Sequence, residues 1–477
     1  MIFIFISYLT NLKVKSILVS NKNKRGFMNV LLPSKNFLNT AFKIGLPLII
    51  QFVLTSVLNF IDVIMVGQLG ETEIAGVGIG NQIVYIFILC SLGIATGAGI
   101  FAAQYWGAKD LKSLHKYQGL ALTINLSFSL VFMVVMMIFP NNIIRFFTND
   151  PAVIEQARIY LFYIIPTFLT MSISFTFAQI LITTRQVKYA LYANASGVII
   201  NTILNYCLIL GNFGFPMLGV TGAAIATLIA RIGQVVIILA FSYGKKLSPS
   251  AKFSELKWNK EIFQKYTKIA LPVFLQNILW VIGVSVYSMI YGHISTHSFA
   301  AYNVASSIEK IALMFFTAFG QTCAILVGNS IGANNKEDTH QYAKSFIIFV
   351  AEAAFITFLI FIFGRPLFVL FYKLTDQSLI YINNILFVLS FLVFLKAINI
   401  IFYIGIFRGG GDTKFCMFLD NGGVWLIGIP LGYLAAFVLK LPIHFVILFV
   451  SMEELVKFIL GIIRLKSGKW VHNLVKS

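Results

Sequence analysis

The segment KIGLPLIIQ at residues 43–51 returns 225 positions later as KIALPVFLQ at residues 268–276. Working outward from it, residues 43–108 lie over residues 268–333 without a gap, and 13 of the 66 positions are identical. The punctuation repeats with them: Pro47 falls on Pro272, Gly67 on Gly292, Ala75 on Ala300, and Gly107-Ala108 on Gly332-Ala333. A shift of 226 serves further along, placing Pro140 on Pro366 and Lys188 on Lys414. The chain is therefore read as two copies of one unit. In a membrane protein, internal repeats of this kind point to transport.

The composition is that of a membrane protein. The chain is 58% hydrophobic and 11% charged, where a soluble domain carries about 25% charged residues. Apolar runs of 20 or more residues recur, and about 20 residues at 1.5 Å each cross a hydrocarbon core of roughly 30 Å. Twelve spans are predicted: 44–66, 77–105, 117–139, 157–182, 189–211, 217–243, 268–292, 298–331, 341–363, 380–407, 413–439 and 443–463. The span at 298–331 is too long for the core and is expected to project into the cytoplasm, as is its repeat partner at 77–105. The fold class that follows is an all-α integral membrane protein of twelve transmembrane helices.

A net charge of +19 invites a nucleic-acid reading, and the placement of the charges rejects it. With the N-terminus inside, cytoplasmic segments hold 27 Lys and Arg, while the outer loops hold 5 (Arg145, Arg158, Arg365, Lys373 and Lys440). This is a positive-inside signal. It predicts a multi-pass protein of the cell membrane with both termini cytoplasmic, whose basic surplus faces anionic lipid headgroups. Six spans per copy bring both copies in from the same side, so the repeats are parallel. The expected organisation is a cytoplasmic tail (1–35), an N-terminal lobe (36–243), a linker with a surface helix (244–266), a C-terminal lobe (267–464) and a second tail (465–477). Met1–Leu9 is apolar but too short to span, and its basic residues follow it, the reverse of a signal peptide; Met28 is the alternative start.

Several chemistries are excluded. No G-x-x-x-x-G-K-[ST] run is present, so the chain has no phosphate-binding loop of that type. The run Gly409-Gly410-Gly411-Asp412-Thr413-Lys414 lies between spans and reads as a helix break, with Asp412 or Thr413 capping the next helix. The six histidines form no H-E-x-x-H. Cys90, Cys207, Cys323 and Cys416 all sit in apolar segments and read as small buried residues. No cofactor is indicated, and no enzyme activity.

What remains are ionisable groups inside the membrane, each costing about 2.5–3.5 kcal/mol at mid-bilayer on insertion scales. In the first half Asp62 lies near the outer end of its span, Asn205 and Asn201 lie one turn apart on one face of the fifth span, and Thr227 lies in the sixth. A carboxylate among neutral oxygens can hold Na⁺, or a proton if desolvation favours it. Equally, Asp62 could bond Asn201 or Asn205 and only fix helix packing. In the second half the acidic candidates are Glu309, with Lys396 as its charge partner, and Asp420. Glu453, Glu454 and Lys457 could meet at a helix seam. Arg231 is expected to snorkel or pair, and receives no role. Asp62 falls on Tyr287 and Glu309 on Val84 under the repeat, so the halves keep a scaffold but not these charges.

These motifs together resemble the multidrug and toxic compound extrusion (MATE) transporters. The residues that carry the resemblance are Gly45-Leu46-Pro47, Phe60-Ile61-Asp62-Val63-Ile64-Met65-Val66-Gly67, Ala103-Gln104-x-x-Gly107-Ala108, Asn201-x-x-x-Asn205-Tyr206, Leu218-Gly219-Val220-x-Gly222-Ala223-Ala224-Ile225-Ala226-Thr227 and Arg408-Gly409-Gly410-Gly411-Asp412-Thr413-Lys414. The resemblance implies two six-helix lobes packed as a V, a monomer, and export of cationic, amphipathic small molecules in exchange for Na⁺ or H⁺ as coupling ion. It places Asp62, Asn201, Asn205 and Thr227 in the cation site of the N-terminal lobe. Asn205 stands where some members have a second aspartate, and Gln276-Asn277 where many have a glutamate. These departures leave Glu309 and Asp420 as the second-lobe candidates. The alternative within the wider superfamily is a flippase for lipid-linked oligosaccharide, which usually carries several basic residues in its cavity.

Overall fold

The computed structural model describes residues 34–369 and 376–476. The alternative start Met28, Lys373 of the predicted outer loops and Ser477 at the end of the second tail lie outside the described residues. The chain is almost wholly helical. In order it forms α1 (Lys35–Gly67), α2 (Glu71–Gly107), α3 (Leu111–Ile138), α4 (Pro151–Ile164), α5 (Thr167–Thr183), α6 (Val187–Leu208) and α7 (Gly219–Gly244). Then follow α8 (Lys260–Gly292), α9 (Thr296–Gly332), α10 (Lys336–Val369) and α11 (Asp376–Ile400). The last elements are α12 (Thr413–Gly423), α13 (Ile443–Val450) and α14 (Met452–Ser467).

The repeat is visible in the lengths. Helices α1 and α8 both have 33 residues and an internal proline, Pro47 and Pro272. Helices α2 and α9 both have 37 residues, so at 1.5 Å per residue each reaches about 55 Å and outruns the hydrocarbon core. Among the described residues, nine helical stretches are individually long and apolar enough to span. The fourth predicted span is the pair α4 and α5, bent by 54° at Ile165-Pro166, where proline removes a backbone donor. Of the two remaining predicted spans, α6 is helical but more polar, with Asn194, Asn201 and Asn205, and the last is broken at Ser451 into the short helices α13 (8 residues) and α14 (16 residues), the second carrying Glu453, Glu454 and Lys457. The halves also differ in winding. The second holds three wide-turn π segments, Ile401–Phe407, Val424–Gly428 and Leu434–Val438.

Two compact units emerge. The first is Leu46–Ile278; the second joins Leu279 onward with the described residues up to Gly45. The units therefore do not coincide with 36–243 and 267–464: the chain changes unit inside α1 and α8, and the linker belongs to the first unit. In the core of that unit Phe87 packs with tilted rings against Phe168 at 4.5 Å and Phe132 at 5.3 Å between ring centres. A polar seam crosses it, with Ser91 donating to Asn125 Oδ1 at 2.8 Å and the Ser129 and Ser172 hydroxyls bonded to each other. Hydrogen bonds of this kind join helices where apolar burial cannot, because lipid is as apolar as the core.

Helices α6 and α7 lie in close contact at Gly222, where an added Cβ would lie 2.4 Å from the Leu208 carbonyl oxygen. Backbone cannot swing aside as a side chain can. Gly222→Ala is expected to cost about 1–3 kcal/mol, read as a lowered melting temperature of the purified protein in detergent. An unchanged melting temperature would show that the two helices can separate without loss.

The linker is not a free tether. Ser248 and Pro249 dock onto α3 and the end of α5: His115 bonds the Ser248 carbonyl at 2.9 Å and Glu255 at 3.1 Å, Gln118 donates to the Pro249 carbonyl at 2.9 Å, and the Thr184 and Ser248 hydroxyls meet at 2.6 Å. The Lys252 backbone N–H and the His115 ring hold the Glu255 carboxyl below the ordinary glutamate range. The surface helix expected within the linker is the first turns of α8, which begins at Lys260.

The second tail is folded as well. Beyond the left-handed Gly468, His472 N–H donates to the Gly410 carbonyl at 2.8 Å and Trp470 is fully buried. This corrects the expected role of Asp412. It stands at the start of α12 without capping it, because Arg464 takes one carboxylate oxygen at 2.7 Å and His472 lies 3.6 Å from the other. Burial alone would raise the pKa of Asp412, but the bonds from His472 and Arg464 outweigh it and hold the group below the ordinary range.

Candidate cation and substrate site

Four helices of the first unit each turn a polar stripe toward one cavity of about 350 Å³. On α1 the stripe is Thr55, Asn59 and Asp62; on α7 it is Thr227, Arg231 and Gln234. Both follow i, i+4, i+7, one helix face. Helix α6 contributes Asn194 and Asn201, and α2 contributes Asn81, Gln82 and Tyr85. Tyr160 of α4 closes one side; it fits there because Gly80 has no side chain, an added Cβ lying 2.3 Å from its ring. A smaller adjoining recess of about 90 Å³ shares Asp62, Tyr160 and Thr227 and is lined by Asn205.

The four sequence-predicted residues of this half meet in one chain of hydrogen bonds. Asn205 Nδ2 donates to Asp62 Oδ1 at 2.6 Å and to Asn201 Oδ1 at 3.0 Å. Asn201 Nδ2 donates to Thr227 Oγ1 at 3.1 Å, and that hydroxyl donates to the Ala223 carbonyl at 2.9 Å. One atom is left over: Asn205 Oδ1 is buried and has no hydrogen-bond partner. A buried amide oxygen without a partner is costly, and beside a carboxylate it has the chemistry of a ligand for a hard cation. The oxygen-only set of Asp62, Asn205 and Thr227 fits Na⁺, since hard cations take carboxylate, amide and hydroxyl oxygens. Across the cavity Tyr160 donates to Asn81 Oδ1 at 2.9 Å, and Arg231 donates to Gln234 Oε1 at 3.0 Å.

In the second unit the acidic candidates are separated. Glu309 of α9 pairs with Lys396 of α11 at 2.6 Å. Asp420 of α12 pairs instead with Lys457 of α14 at 3.0 Å. Lys457 is also 3.5 Å from Glu453 and 3.6 Å from Glu454, and all four groups are buried. Tyr287 donates to Glu453 at 3.0 Å, and Asn399 donates to Glu454 Oε2 at 2.7 Å. In this cluster one ammonium is ringed by three carboxylates.

Thr55, Asn59, Asn81, Gln82, Tyr85, Tyr160 and Gln234 were missed from the sequence, and Arg231 was left without a role. The signal that could have found several of them is the i, i+4, i+7 spacing from Asp62 and from Thr227.

A membrane fold of two tandem repeats, with a polar cavity sunk into one of them, defines a carrier of small molecules rather than an enzyme. The chain belongs to the MatE family, whose model matches residues 47–207 and again 272–434, once in each repeat. Among curated proteins it is 25% identical over 434 residues to the uncharacterized transporter YisQ of Bacillus subtilis, covering 90% of this chain and 94% of that one. It is 27% identical over 412 residues to the probable multidrug resistance protein YoeA of the same organism, covering 83% and 86%. Among solved structures, an outward-facing multidrug resistance MATE family transporter superposes with a TM-score of 0.82 at 17% identity, covering 90% of this chain and 95% of that one. At that identity the superposition speaks for the fold alone.

Proposed function

We propose that the protein is a secondary active antiporter of the cell membrane that exports amphipathic organic molecules in exchange for Na⁺. Asp62, Asn205, Asn201 and Thr227 hold the coupling ion. The observation that carries this reading is the buried, partnerless Asn205 Oδ1 beside the Asp62 carboxylate: an oxygen with lone pairs and no donor suits a metal cation better than a proton. The relatives named as multidrug resistance proteins support the cargo class, and the excess of Lys and Arg on one side supports cytoplasmic termini.

Electrostatics supplies the exchange. Asp62 and Arg231 face one cavity, so its formal charge is balanced while the ion site is empty. Na⁺ at Asp62 leaves the Arg231 charge unopposed and disfavours an organic cation in the same space. For this to drive transport, Na⁺ must bind the inward- and outward-open states with different affinity. A flippase carrying phosphate-linked sugars needs several free cations along its path, and here Lys396 is already neutralised by Glu309.

The test uses proteoliposomes loaded with a fluorescent organic cation such as ethidium. An imposed Na⁺ gradient at constant pH is expected to drive efflux, and a pH gradient without Na⁺ is not. Efflux driven by the pH gradient alone would replace Na⁺ by H⁺; efflux under neither gradient would overturn the antiport reading.

A further inference from the structure

The cavity-lining cation of α7 is the feature that the cation-exchange reading does not use as a binding group. Arg231 has one hydrogen bond among the described residues, to Gln234, and forms no ion pair with any of them. A guanidinium has five N–H donors, and Gln234 takes one. A charge held this deep normally pairs with an acid. The cavity gives it space instead.

The repeat shows what is missing. The shift of 226 that carries Lys188 onto Lys414 also carries Gly197 onto Gly423 and Pro216 onto Pro442, and it carries Arg231 onto Lys457. Both repeats thus hold a cation at the same place on their last span, Lys457 buried and Arg231 partly buried at the cavity wall. Under the same shift Asn194 falls on Asp420 and Thr227 on Glu453. In the second unit these are two of the three acids that surround Lys457, at 3.0 and 3.5 Å; the third, Glu454, falls on Leu228. In the first unit the first two are replaced by neutral residues, both of which line the cavity of about 350 Å³. Where the second unit fills the place with its own carboxylates, the first leaves a cavity large enough for a drug-sized molecule.

We propose that Arg231, steadied by Gln234, receives a carboxylate of the transported molecule, so that the preferred cargo carries an amine cation and a carboxylate on one apolar frame. This rests on the reading of the first-unit cavity as the cargo site. The two ends of such a molecule match the two charges of the cavity, Asp62 and Arg231. Na⁺ at Asp62 then displaces the amine end and weakens the hold without touching the other. A guanidinium presents two parallel N–H donors to a carboxylate, which Lys at this position would not.

The test compares two dyes that differ in one group: rhodamine 110, a free carboxylic acid, and its methyl ester rhodamine 123. Binding to the full-length protein in nanodiscs is read by fluorescence anisotropy. Wild type is expected to bind the acid at least about tenfold more tightly, the scale of a charge-assisted bond to a buried group. Arg231→Gln is expected to erase that preference while holding or improving ester binding, with Arg231→Lys between the two. A wild type that binds both dyes alike, or prefers the ester, overturns the proposal even if neither variant folds. So does an Arg231→Gln that folds and weakens both dyes equally, because Arg231 is then only the counter-charge of Asp62. Failure of the transport reading is separate: a wild type that prefers the acid in nanodiscs but moves neither dye under a Na⁺ or pH gradient removes the antiport, not the carboxylate subsite.

Discussion

Asp62→Asn is expected to fold normally and to lose ion-driven efflux. Asparagine keeps the shape of the side chain and an oxygen for Asn205 Nδ2, which donates to Asp62 at 2.6 Å in the native protein, so the helix contact survives. What goes is the only negative charge among the described residues that line the cavity. Bonds to a charged partner are worth about 1.5–3 kcal/mol, and 1.4 kcal/mol is tenfold, so Na⁺ affinity should fall by roughly 10- to 100-fold. The loss is compounded by Arg231, whose charge is then never balanced. The variant mimics the ion-loaded state permanently and should bind organic cations poorly at every Na⁺ concentration. Proteoliposome efflux at graded Na⁺, together with dye affinity at zero Na⁺, checks both halves. Efflux with unaltered Na⁺ dependence would remove Asp62 from the coupling site.

Lys457→Met should have the largest effect on stability of any single change described. Lys457 is the common partner of Asp420, Glu453 and Glu454, and its own exposure is 2%. Removing one member of a buried ion pair costs about 3–5 kcal/mol, because the remaining charge is left without compensation. Here three carboxylates would be left, within a region already held by wide-turn helix at Val424–Gly428. The expected result is little monodisperse protein after extraction, or a melting temperature far below wild type. Adding Asp420→Asn, Glu453→Gln and Glu454→Gln to Lys457→Met should restore much of the loss, since none of the three side chains that surround Lys457 then needs the ammonium. A Lys457→Met that melts with wild type would mean that the cluster is not ionised as drawn.

Much of this architecture was legible because it is periodic. A hydropathy reading finds spans by averaging over about twenty residues, and the repeat fixes their order. The same averaging hides what distinguishes one face of a span from another. Thr55, Asn59 and Asp62 occupy one stripe of α1, yet among apolar neighbours only the charged member stands out. The cluster of Asp62, Asn201, Asn205 and Thr227 was found because carboxylate and amide stand out one at a time in apolar runs. Arg231 stood out too, but its partners did not. Its meaning depends on a register that slips from 225 to 226 between the two parts of the repeat: the first shift sets Asp62 on Tyr287 and suggests that charges were lost, while the second sets Arg231 on Lys457 and shows one kept. Asp412 illustrates another limit. Its place before α12 is that of a capping residue, but the partner that claims it, Arg464, lies 52 residues away, beyond any local rule.

The points at which the chain changes unit, after Gly45 and after Ile278, bear on how such a protein could arise. A cut in the linker yields two fragments, neither of which contains a whole unit: one lacks the stretch Lys260–Ile278, the other the opening of α1. Co-expressed fragments would have to trade these pieces while folding rather than fold and then dock. A half-length ancestor with six spans could have completed its unit only by taking the start of a helix from a twin. In a single chain that trade of helix starts takes place within one molecule, and the two copies can differ in their interiors: one is filled with its own acids, the other leaves that space open.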